Sequence, residues 1–267
     1  MKLTEIQIND NWNIFLKNID NYISSPRKEL LLEFYDKYAN RVALMPASTK
    51  ESYHNAFIGG YCDHVNRVVE CSIKVKDIWA AMGATIDFTD EELVMVAINH
   101  DLGKFGSSEC EMYIDQDSDW HRKNRGEIFK SNPLLSFMKI QDRSLFILQQ
   151  IGINLTENEY LGIKLHDGLY EEGNKGYYVA FSPEYKLRSN LPYIIHQGDL
   201  MAARIEGDLV KQPIKTVSNP HIDKPTTFSV SLNDVKPGKH TKMIPAPEIP
   251  VSTPRSSNNL LNKFLLD

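Results

Sequence analysis

The chain has 267 residues, 42% hydrophobic and 24% charged, with a formal net charge of -5 and an isoelectric point near 5.9. That is the composition of a globular protein with one large core, or a core plus an appendage; the acidic balance argues against a general nucleic-acid-binding surface but leaves room for a local basic pocket around a small anion. No apolar run approaches the ~20 residues of a membrane span, the polar stretch Met1 to Asp10 is no secretory signal, and Cys62, Cys71 and Cys110 form no disulfide or zinc-knuckle pattern, so a cytoplasmic protein with reduced thiols is expected.

In chain order, Trp12, Phe15, Leu16 and Ile19 mark one face of a helix within residues 1 to about 24. Ser25 and Pro26 read as the N-cap and first position of a second helix, with Leu30, Leu31, Phe34, Tyr35 and Tyr38 at helical spacing. These helices form an N-terminal unit, residues 1–50, expected to pack on the core. Gly59 and Gly60 suit a tight turn ahead of a helix that runs through Val65, Val68, Val69 and Ile73 to about Met82. Thr89 with Glu92 is a capping box, and the helix it opens delivers His100 and Asp101 at its end. Residues 105 to 125 are polar and irregular. Asn132 and Pro133 open an apolar helical segment reaching Phe146 and Ile147. Thr156 with Glu159 is a second capping box, ahead of a helix ending in Leu165, His166, Asp167 and Gly168. A glycine- and tyrosine-rich loop, Gly173 to Tyr178, has room for a short hairpin. The last core helix runs from Tyr193 to about Val210, with Asp199 on the face of Ile195 and Ala202. Eight of the 13 prolines lie in residues 211–267, which predicts an extended arm. Within it Thr226 to Leu232 alternates as one strand, and Leu260 to Leu266 reads as a short amphipathic helix that docks on the parent domain or on a partner.

The histidines fall at segment ends: His64 near a helix start, His100 beside Asp101 at a helix end, His166 at another. A carboxylate on a buried face, as at Asp199, needs a metal or a cation as partner. Each residue singly also fits a hydrogen-bonded core or capping side chain. Jointly they offer imidazole nitrogens and carboxylate oxygens, a mixture that suits Mn, Mg, Fe, Co, Ni or Zn without naming one. His54 fits either a turn histidine or one that points into the same pocket, and His196, three residues before Asp199, fits an outer layer of such a site.

Gly59–Gly60–Tyr61–Cys62–Asp63–His64, His100–Asp101–Leu102–Gly103–Lys104 and His196–Gln197–Gly198–Asp199 resemble, in that order, three motifs of the HD-domain metal-dependent phosphohydrolase superfamily. The resemblance covers residues 51–210 and implies an all-α, HD-domain-like helical bundle as the metal-binding catalytic domain, followed by the proline-rich arm, 211–267. It implies that His64, His100, Asp101 and Asp199 hold a first divalent ion and that Asp101 bridges to a second, for which His121 and His166 are the histidines in the right interval. The stretch His166–Asp167–Gly168 resembles the exoribonuclease-like branch, although Asp167 stands where that branch has histidine and Asp63 where glutamate is common.

The activity implied is cleavage of a phosphate ester or anhydride of a nucleotide, or of a related small phosphorylated substrate, by metal-activated water. In that reading Asp101, Lys104 and Asp167 are the catalytic residues. Lys104, Arg122 and Arg125, with Lys123, are the cations for phosphate, the loop cluster fitting a solvated surface equally well. Tyr170, Tyr177, Tyr178 and Tyr185 fit either base stacking or packing. Nucleic-acid binding is not favoured. Two alternatives stand beside this one: a di-iron oxygenase of the same superfamily, compatible with the 21 residues from His100 to His121, and a non-catalytic nucleotide-binding module.

Overall fold

The computed structural model describes residues 2–211; the stretches read as a proline-rich arm, as a strand over Thr226–Leu232 and as a terminal helix lie outside the described residues. Of the described residues, 62% are helical and 4% are in strands, so the protein is mostly helical. Among the described residues ten α-helices follow in order: α1 (Glu5–Tyr22), α2 (Arg27–Lys37), α3 (Ala39–Leu44), α4 (Gly60–Ala81), α5 (Asp90–Asn99), α6 (Asp119–Arg125), α7 (Ile140–Gln150), α8 (Glu157–Leu165), α9 (Lys175–Tyr178) and α10 (Leu191–Lys211). Strands β1 (Tyr113–Asp115) and β2 (Phe129–Ser131) pair antiparallel on either side of α6. Among the described residues no helix is long and apolar enough to cross a membrane.

The centre of the molecule is α5. Every residue from Leu93 to Asn99 is buried, the pattern of a helix surrounded by others rather than one lying on a surface. Trp12, Phe15 and Ile19 of α1, Val65, Val68 and Val69 of α4, Ile163 and Leu165 of α8, and Ile194 and Ile195 of α10 fill the space around it. Each such side chain contributes about 1.5–3 kcal/mol of burial. Helix α10 lies along α4, and Gly198 permits the approach: a Cβ there would collide with Ser72 Oγ and come within 3.0 Å of Ser72 Cβ. That contact brings Asp199, the next residue, against the start of α4.

Helices α5 and α8 are built alike. Both open with the capping box read from the sequence, Thr89 with Glu92 and Thr156 with Glu159. Their N-termini are tied together: Thr156 Oγ1 donates to Glu92 Oε1 at 2.7 Å, and Arg27 of α2 bridges to Glu91 (2.5 Å) and Glu159 (2.7 Å). Gly162 of α8 sits on Val96 of α5, where an added Cβ would meet Val96 Cγ2 at 2.9 Å. The two helices therefore start together and end together. Each ends in a histidine followed by an aspartate, His100–Asp101 and His166–Asp167.

Several elements differ from expectation. Helix α2 starts at Arg27 with Pro26 at its N-cap, and Ser25 Oγ bonds Glu29 Oε1 at 2.6 Å instead of capping the helix. Helix α3 and the turn of α6 fall in stretches too polar or too short to show a period. The segment from Asn132 is not helical until Ile140, because Asn132 Oδ1 takes the Leu134 amide at 3.0 Å and holds the backbone in a turn. Its apolar residues Leu134 and Phe137 are consequently 84% and 93% exposed. The loop from Gly173 holds helical turns, including α9, and no hairpin.

Candidate metal centre

The ends of α5 and α8, the start of α4 and the middle of α10 meet at one place. His64 Nε2 lies 3.2 Å from Asp199 Oδ1 and 3.8 Å from Asp101 Oδ2. His100 Nε2 lies 3.4 Å from Asp101 Oδ2 and 3.9 Å from Asp199 Oδ1. His166 Nε2 stands 3.7 Å from Asp101 Oδ1 and 3.5 Å from Asp167 Oδ1. Ligands about 2.1 Å from a common ion are separated by about 3.0 Å at right angles and about 3.4 Å in a tetrahedron, so this spacing fits donors around a cation. Three overlapping groups could hold one: His64, His100 and Asp199; His100, Asp101 and His166; and His54, His64 and Asp101.

Each imidazole is aimed by what its other nitrogen does. His100 Nδ1 and His166 Nδ1 bond the carbonyls of Ala97 and Ile163, each at 2.8 Å and each three residues back on the same helix. His64 Nδ1 bonds the carboxylate of Glu206 at 3.1 Å. Such partners hold a ligating histidine with its Nε2 toward the ion. Here they leave His64 Nε2 and His100 Nε2 buried with no hydrogen-bond partner. A buried orphan of this kind costs about 1–3 kcal/mol, and a cation between them and the carboxylates they face would satisfy both. The C-terminal ends of α5 and α8 add partial negative charge at the same spot.

The electrostatics are those of a dense, buried cluster. Burial alone would lower the His64 pKa, but Glu206 and Asp199 outweigh it and raise it to about 10. Burial also opposes the raised pKa of His166, which Asp167 and Asp101 bring about. Asp101, whose burial pushes upward, is held well below the ordinary carboxylate range by Lys104 and His100. Asp199 is likewise held down against burial by His64 and His100. His54 goes the other way: burial, with His64 and Lys104 beside it, lowers its pKa to about 3.

Not every residue that the sequence offered lies here. His121 is not among the clustered donors: α6 has no buried residue, and His121 Nδ1 pairs with Glu127 Oε2 at 3.2 Å. Arg122 bonds Asp119 and the Gln116 carbonyl, and Arg125 lies over the Trp120 ring, 5.3 Å from its centroid. Neither arginine lines the cavity beside the cluster. Lys104 is buried with Nζ 2.5 Å from Asp101 Oδ2, so its charge is spent on that carboxylate. Asp167 lies at the rim. His196 Nδ1 bonds the His166 carbonyl at 2.8 Å, and its ring occupies the space that a Cβ on Gly168 (φ +57) would need. That places His196 in the outer layer.

Three residues stand at the cluster or its cavity that the sequence reading missed or left open. Glu206 (1% exposed) orients His64 and is itself held by Arg67 Nε at 3.2 Å; its signal was the interval of seven from Asp199, which repeats the helix face. His54 has its ring 4.4 Å from that of His64. Arg204 lines a cavity of about 660 Å³ together with Tyr53, His54, Asp167, Tyr170 and Asp199. Tyr178 packs instead, its hydroxyl donating to the Leu165 carbonyl at 3.0 Å, while Tyr177 and Tyr185 do not line that cavity.

Adding a divalent ion at 100 times its dissociation constant should stabilise the fold by about 2.7 kcal/mol. In a domain of this size that raises Tm by roughly 5–10 °C, reversed by chelator. A Tm indifferent to Mn, Co, Ni and Zn would contradict the metal centre. Comparison with protein-family models, with curated proteins and with solved structures returns no match, so what the chain reveals of its chemistry is this geometry: a mostly helical protein with a buried His/Asp cluster that could hold metal.

Proposed function

We propose that the protein is a metal-dependent phosphohydrolase of the HD type, acting on a nucleotide or a related small phosphorylated substrate. One observation carries the reading: His64, His100, Asp101, His166 and Asp199 converge, with two unpartnered Nε2 atoms, beside an open cavity of about 660 Å³. That volume falls in the range of roughly 300–1,000 Å³ usual for small-molecule sites. Held by these residues, a divalent ion would supply Lewis acidity toward phosphoryl oxygen and activation of water near neutral pH.

The protein's own groups do the rest. The Nδ1 bonds to Ala97, Ile163 and Glu206 fix the three rings, so no reorganisation is required when the donor set is used. Asp101 and Asp199 supply the anionic charge, and Lys104 offsets part of it. Asp167 Oδ1, at the cavity rim, can take a proton from water entering there. Arg204 presents a guanidinium to a substrate phosphate, the part that Arg122 and Arg125 were expected to play. Tyr53 and Tyr170, 53% and 74% exposed, offer faces for a base. Three imidazoles favour Fe, Co, Ni or Zn over Mg. The oxygenase alternative drew on His121, which pairs with Glu127 elsewhere, and a non-catalytic module gives no reason for aimed, orphaned imidazoles.

The test is elemental analysis of the purified protein, then assay of mononucleotides, cyclic nucleotides and short oligonucleotides with Mn, Mg, Co and Ni. Metal-dependent phosphate ester cleavage supports the reading, and a metal-loaded protein inert on the whole panel overturns it. Within an active assay, Arg204→Ala should raise KM about tenfold with kcat nearly unchanged, since one charge-assisted contact is worth about 1.5–3 kcal/mol. A fall in kcat at constant KM would give Arg204 a different role.

A further inference from the structure

We propose that His54 is a direct ligand of the ion held by His64 and Asp101, an imidazole beyond the set that the family resemblance implies. The inference rests on the metal centre and not on the reaction assigned to it. An imidazole nitrogen of His54, one of His64 and a carboxylate oxygen of Asp101 all lie within 4.8 Å of one another. The Nε2 of His54 is buried and has no hydrogen-bond partner, the same condition found at His64 and His100. A packing or turn histidine would instead have its buried nitrogens satisfied.

The loop is built to hold this ring in place. The His54 carbonyl accepts from Ser48 Oγ at 2.6 Å. Asn55, the next residue, is buried and has φ +47, a left-handed conformation that an L-residue adopts at a cost. It is held there by Nδ2 bonds to Asp63 Oδ2 (2.8 Å) and the Gly60 carbonyl (3.4 Å), and by the Ala47 and Phe57 amides donating to its carbonyl at 3.1 and 2.9 Å. These bonds tie the loop to the first turn of α4, one turn before His64. Asparagine tolerates this conformation better than other L-residues, and the bonds around Asn55 fix the backbone that carries the orphaned imidazole.

The experiment uses the full chain and cobalt(II) alone as probe, with His54→Ala and His54→Gln as variants. Metal-free circular dichroism and Tm establish that each variant is folded; glutamine keeps much of the ring's volume if alanine loosens the loop. Chelator competition gives the cobalt dissociation constant, and the visible d–d absorption reports coordination number and nitrogen count. The expected result is a dissociation constant raised more than a hundredfold in both variants, beyond the roughly 10–100-fold that loss of an outer partner costs, with a visible spectrum that reports one nitrogen fewer; a smaller rise with the wild-type spectrum makes His54 an outer partner and overturns its direct ligation. Wild-type affinity and spectrum in both variants would overturn the role of His54 while leaving the metal centre standing. A wild-type protein that takes up no cobalt overturns the centre itself. Hydrolytic activity enters neither outcome.

Discussion

Asp101→Ala should remove metal and activity together. Among the described residues Asp101 is the carboxylate within 4 Å of all three buried imidazoles, His64 at 3.8 Å, His100 at 3.4 Å and His166 at 3.7 Å. Loss of a single preorganised charge in an active site costs about 10²–10³ in rate, and loss of the ion as well should bring activity to the metal-free background. The same change strands Lys104, whose buried ammonium has Asp101 as its partner. Breaking one side of a buried pair costs about 3–5 kcal/mol, so the single variant should also melt earlier. Asp101→Ala with Lys104→Met removes the stranded charge and should recover most of the Tm without recovering metal. Metal content by elemental analysis, Tm and turnover on the best substrate separate the two effects. A single variant that keeps both metal and activity would remove the basis for the proposed mechanism.

The second large effect is expected far from the cluster. Arg27→Met should destabilise the fold by about 3 kcal/mol, because it leaves Glu159 buried with a carboxylate and no cation. Glu159 is fully buried and belongs to the α8 capping box, and Glu91 lies in the first turn of α5. Arg27 therefore fastens together the starts of the two helices whose ends carry His100–Asp101 and His166–Asp167. Urea denaturation should show a lower midpoint with an unchanged m-value. Replacing Glu159 by Gln in the Arg27→Met background should return much of the loss, since the stranded charge is gone. An unchanged midpoint in the single variant would mean that water already satisfies Glu159.

Much of the architecture is local and was legible. The capping boxes at Thr89 and Thr156 count forward to helix ends at His100 and His166, since a helix of known start and apolar period has a foreseeable finish. The face shared by Ile195, Asp199 and Ala202 marked Asp199 as turned inward. What failed failed for local reasons too: the Asn132 side chain competes with the helix that the apolar residues after it suggested. His121 sat in the right interval of the chain, but an interval says nothing of where a seven-residue helix on a small sheet will stand.

His–Asp pairs at helix ends, the donor types and the near-absence of strands follow from interactions among residues a few positions apart, so they can be read along the chain. Which donors meet depends on contacts between distant segments. Glu206 reaches His64 across 142 residues, Arg27 reaches Glu159 across 132, and α10 approaches α4 where Gly198 presents no side chain to Ser72. Those contacts arise from burying the faces of α1, α4, α8 and α10 around α5, and it is that packing, not the spacing of residues, that gathers His54 in and leaves His121 out.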